Sequence, residues 1–78
     1  MKVFRMEDLN YNGIKDNVHS WDHPEAPDPY YWRPDWLHIA EDALGLHPKQ
    51  PLDVKEGQTP TEEDAKKAIV KHLNENQN

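Results

Sequence analysis

The chain has 78 residues, enough for one small domain, and a net charge of −6. That charge argues against nonspecific binding to nucleic acid or to an anionic membrane, and the absence of cysteine excludes disulfides and Cys-type zinc sites. Six Leu, three Ile, four Val and one Phe are a thin aliphatic supply; three Trp and three Tyr partly offset it, which predicts a marginal fold that a partner or a second copy completes.

Residues 1–33 read as an irregular, extended arm. Residues 2–6 alternate weakly, as a short strand would. Asn12-Gly13 is a turn signal, because both residues tolerate positive φ, and it would close a short β-hairpin with residues 14–18. Five of the seven aromatic residues then fall between positions 21 and 36, among four of the seven prolines. Prolines oppose a regular helix or a central strand, so this stretch is expected to be extended or polyproline-like.

A helix is predicted over residues 34–45. Pro34 suits a first helical position and Asp35 the positive end of the dipole. Trp36, Leu37, Ile39, Ala40, Ala43 and Leu44 recur at helical spacing, and Gly45 is placed to end the helix. Residues 46–58 form a connector stiffened by Pro48 and Pro51, pinned to the body by Leu52 and Val54. A second helix is predicted over residues 59–74, with Thr59 as N-cap, Pro60 at N1 and Glu62 at N3. Its apolar stripe is Ala65, Ala68, Ile69 and Leu73. Residues 75–78 should fray. The expected fold class is therefore small and α-rich (α or α+β): two helices packed with an irregular Pro/aromatic-rich N-terminal half, with room for a short hairpin.

No reaction is named by the residues. Ser20 is the only serine and no nucleophile elbow surrounds it. The three glycines are scattered, so no phosphate loop can form. The acidic residues at 41, 42 and 62–64 fall on solvent faces of predicted helices, where carboxylates serve solubility and the helix dipole. No catalytic residue, no cofactor and no enzymatic activity of its own are expected. His19, Asp22 and His23 are metal-ligand types within five residues. Pro24 opposes the helical spacing that would make them converge, so a polar loop is the favoured reading.

The cluster Trp21, Tyr30, Tyr31, Trp32, Arg33 and Trp36 holds the residue types that dominate protein interfaces. Such rings either anchor a partner or close the chain's own core. A mixture is expected, with Trp36 and a neighbour inside and Tyr30, Tyr31 or Trp32 facing out. The function this supports is a small acidic noncatalytic protein-binding module, an accessory subunit or regulator of a larger protein or enzyme. Its partner would be another protein or a second copy of the chain. Two other classes compete: an acidic nucleic-acid mimic encoded by a mobile element, which inhibits a nucleic-acid-binding protein, and a metal-binding protein using His19, Asp22 and His23. No apolar run reaches membrane-spanning length and no signal-peptide core is present, which predicts a cytoplasmic protein.

Overall fold

A computed structural model of the protein describes residues 3–76. A short 3-10 turn at Met6–Asp8 leads into five strands: β1 (Asn10–Lys15), β2 (Val18–Asp22), β3 (Tyr30–Trp32), β4 (His38–Ala40) and β5 (Pro48–Pro51). One helix, α1 (Glu62–Glu75), follows. The strands form an antiparallel sheet in sequential order, β1-β2-β3-β4-β5. The two-helix, α-rich expectation is thus overturned: the chain is mostly β with a single C-terminal helix.

The supposed arm at 1–33 holds three of the strands. Its prolines do not interrupt them, because Pro24, Pro27 and Pro29 lie in the β2–β3 link and Pro34 in the turn after β3. Asn12-Gly13 is not the hairpin turn. The register shifts between Tyr11 and Gly13, so Asn12 is the extra residue of a β-bulge, and Gly13 takes a φ of 104° that a side chain would resist. The chain reverses at Asp16-Asn17, whose φ values of 53° and 65° are the left-handed pair that a two-residue hairpin requires. Val3 and Phe4 belong to no strand; the Lys2 end of the predicted strand lies outside the described residues.

Residues 34–45 contain a turn, strand β4 and the start of a loop rather than a helix. The Asp42 carboxylate accepts from the backbone N–H of Leu44, Leu46 and His47, at 3.1, 2.9 and 2.8 Å. Those amides are bound to a side chain instead of a helical ladder, a competition in which Asp is well placed. Within the connector, residues 48–51 pair with β4, and the pairing continues through the Leu52 N–H to the Leu37 carbonyl at 2.9 Å.

Helix α1 begins at Glu62 with Thr61, not Thr59, as N-cap. Thr61 accepts from the Asp64 N–H, and the Asp64 carboxylate accepts from the Thr61 N–H at 2.9 Å, completing a capping box. The buried stripe is Ala65, Ala68, Ile69 and Leu73, as its spacing predicts. It packs on Phe4, Trp21, Tyr30, Trp32, Ile39 and Leu52, so aromatic rings supply much of the core. Asn74, near the helix end, is tied to the N-terminal segment. Its side chain accepts from the Phe4 N–H at 2.8 Å and donates to the Phe4 carbonyl at 3.2 Å. Gln77 and Asn78 lie outside the described residues. No helix among the described residues is long and apolar enough to cross a membrane.

Candidate functional site

Strand alternation divides the aromatic cluster between the two faces of the sheet. Tyr30 and Trp32 pair with Trp21 and His19 on the face that α1 covers. Trp21, Tyr30 and Trp32 are 3%, 8% and 2% exposed, so their rings are the core rather than an outward anchor. Burial, aided by the nearby Glu41 and Asp28 carboxylates, raises the Tyr30 phenol above its ordinary range. The Trp32 indole N–H donates to the Trp36 carbonyl at 2.9 Å, which ties the turn after β3 to the sheet.

Tyr31 and Arg33 lie differently, while Trp36 reaches both regions: it packs against the core cluster, partly as expected, and also lines a groove on the open face. Tyr31 pairs with Ser20 and Ala40, which places it on the face opposite α1. Val18 shares that face with Ser20; it is buried yet stands apart from the core beneath the helix. Trp36 is half-buried, stacked on His38 at 5.5 Å and lodged against Gly45, where a Cβ would stand 2.8 Å from the ring. Gly45 has a φ of 75°, so both its conformation and its closeness to the indole require glycine.

These residues surround a groove of about 540 Å³. Gly13, Val18 and Ser20 of β1 and β2 line it together with Tyr31, Trp36 and Leu44. Lys15, Asp16 and Arg33 bring charge to its lining. The volume falls in the range of ordinary ligand sites. Leu44 and Leu46 project from the β4–β5 loop at 78% and 69% exposure. They are held out by the three amide bonds to Asp42, which pull its carboxyl below its ordinary pKa. Arg33 is exposed and pairs with Asp35 at 3.1 Å.

His19, Asp22 and His23 do not converge. His19 faces α1, where its Nδ1 meets the Tyr11 hydroxyl at 2.9 Å and Glu62 at 3.7 Å. Asp22 lies one strand step out of phase and accepts from Asn12 at 3.3 Å on the open face. His23 is 5% exposed beyond the strand end, its Nδ1 accepting from the Glu25 N–H at 3.0 Å and its ring set edge-on against Phe4. No group of three or more metal-ligand side chains able to hold an ion occurs among the described residues.

Sequence reasoning missed Gly13, Val18, Ser20 and Leu44 as groove residues. For Val18 and Ser20 the signal was the even-numbered phase of β2, legible only once the strand register is known; Gly13 in β1 and Leu44 in the β4–β5 loop carried none. No family model matches the chain, and no curated protein and no solved structure is significantly similar to it.

Proposed function

We propose that the protein is a small noncatalytic binding module, an accessory subunit or regulator that engages another protein through the helix-free face of its sheet. The observation that carries this reading is the meeting of Tyr31, Arg33 and Trp36 with exposed Leu44 around one groove. Trp, Tyr and Arg dominate interface energetics because they combine large apolar area with a polar or charged tip. The sheet buries one face under α1; on the other, Val18 and Ala40 are buried while Ser20 and Tyr31 stay partly exposed. The cytoplasm is the proposed compartment, in keeping with a chain that has no cysteine.

Binding through these side chains is tested by recovery of partners from the native lysate with the tagged chain, at low and high salt. Tyr31→Ala/Leu44→Ser is the control, since Leu44 is exposed and Tyr31 lies outside the buried core. One stoichiometric partner that the variant loses, while keeping the parent's melting temperature, is the expected result. Equal recovery by the variant and the parent would overturn the reading. Trp32 is unsuited to this test, because its burial makes any substitution a folding change first.

A further inference from the structure

The lining of the groove, unlike the chain as a whole, holds more cations than acids, although Asp22 lies on the same face and Asp35 pairs with Arg33. The whole sequence has fifteen acidic and nine basic residues. In the groove, two cations, Lys15 and Arg33, stand against one acid, Asp16, at the hairpin turn. The strand register explains how they come together. Lys15 pairs with Val18, and His19 pairs with Trp32, so Arg33 follows one step on at the level of Val18. The two cations therefore flank Val18 at one end of the groove. One row further along, Gly13, Ser20 and Tyr31 lie side by side. Glycine and serine add little bulk to that row, where the Asn12 amide reaches the Ser20 hydroxyl at 3.4 Å, and Tyr31, Trp36 and Leu44 supply the apolar part of the lining.

We propose that the groove receives an extended segment of a partner protein that carries an acidic residue next to aromatic or aliphatic ones; this rests on the open face being the binding face. The carboxylate docks between Lys15 and Arg33, and the apolar side chains fill the hollow over Gly13 and Ser20 against Tyr31 and Trp36. The exposed pair of Arg33 with Asp35 does not block this, because solvent-screened pairs are weak and Arg has several donors in its fork. Lys15 forms no ion pair among the described residues. Two cations beside an apolar lining discriminate against basic segments, since like charges at an interface are costly.

The test selects random displayed dodecapeptides on the immobilised full chain and then titrates an enriched synthetic peptide into isotope-labelled protein. Enriched sequences should pair Asp or Glu with a nearby aromatic or aliphatic residue. The amide signals of Gly13, Ser20 and Tyr31 should move most. Lys15→Ser/Arg33→Ser, both at exposed positions, should weaken binding about tenfold and flatten its salt dependence without altering the melting temperature. Enrichment of neutral or basic peptides on the same face would overturn the acidic occupant while leaving the binding face standing. Shifts confined to α1 would overturn both proposals. Failure to enrich any peptide would overturn the extended-segment inference, and recovery from lysate would then judge the binding face separately.

Discussion

Trp32 combines 2% exposure with a hydrogen bond from its indole N–H to the Trp36 carbonyl. Trp32→Ala removes a large buried ring and should cost about 3–5 kcal/mol, read as a lower denaturant midpoint. That is comparable with the whole stability of many small domains, so Trp32→Phe is the finer probe; it keeps most of the ring, strands the carbonyl and should cost about 1–3 kcal/mol. A midpoint unchanged in both variants would contradict the core assigned here. Two titratable groups act at the same scale. Burial lowers the His72 pKa from 6.5, with Glu41 opposing the shift and Lys49 adding to it. The folded state thus favours the neutral ring, which lies edge-on to Tyr30 at 5.4 Å. Its contribution is complete above the unfolded pKa and is lost as pH falls from about 6.5 through the folded value. Asp42 is also depressed, chiefly by the Leu46 amide, so its contribution persists down to its ordinary pKa of 3.8 and fades below it. Acid should therefore act in two windows. His72→Gln should make the melting temperature less sensitive to pH than the parent's between about pH 7 and 5. Asp42→Ala should remove hydrogen-exchange protection from the Leu44, Leu46 and His47 amides already at neutral pH. A parent-like pH profile in the first variant, or parent-like protection in the second, would refute the respective assignment.

Helix α1 and strand β4 show what local sequence can and cannot decide. The helix is legible because its stripe, cap type and charge order all agree, and only the cap position moved, from Thr59 to Thr61. The tetrapeptide from Thr61 to Asp64 offers a second capping box two residues beyond that of Thr59 and Glu62, and the structure uses it. Thr61→Ala should cost about 1 kcal/mol and lower the melting temperature, whereas Thr59→Ala should be silent; equal effects would return the cap to Thr59. The helix predicted at 34–45 failed for a physical reason. A lone helix of that length is marginal in water without an apolar face to bury. As a strand, residues 38–40 gain two hydrogen-bonded neighbours, and Ile39 and Ala40 are fully buried. Apolar spacing over so few residues fits either period, and Asp42 tips the following loop away from the helix. The prolines misled in the opposite sense. They were read as breaking one long segment at 21–36, when they punctuate links between short strands. The alternation of Tyr30 and Trp32 about Tyr31 was present, but three residues are too few to establish a period. The interface chemistry of the aromatic cluster was legible; its division into Trp21, Tyr30 and Trp32 beneath α1 and Tyr31, Arg33 and Trp36 around the groove was not, because facing depends on register.

At the scale of the whole molecule, the sheet is made from contacts between successive strands, and one late element covers it. Every strand pairs with the next in sequence, an arrangement of low loop-closure cost that favours rapid local assembly. The meander alone would nonetheless lose part of the cover over Trp21, Trp32 and Ile39, since Ala65, Ala68, Ile69 and Leu73 of their cluster come from α1. The two ends of the described chain are joined by the same helix, through the paired hydrogen bonds of Asn74 with the Phe4 backbone. Cooperative folding should therefore require the helix. Removal of residues 61–78 should abolish the near-ultraviolet circular dichroism of the packed tryptophans and the sigmoidal denaturant transition together. Asn74→Ala is the graded version. It leaves the Phe4 N–H and carbonyl without their partner and should cost about 1–3 kcal/mol while keeping a two-state transition. A truncated chain that still unfolds cooperatively, with tryptophan dichroism intact, would mean that the sheet closes on itself without α1. The helix-covered face would then be as available as the open one, and the reason for placing the partner on the Tyr31 side would vanish. If the truncation unfolds and Asn74→Ala merely weakens, the helix-covered face is committed to folding, and the proposal of a partner on the Tyr31 side keeps its premise.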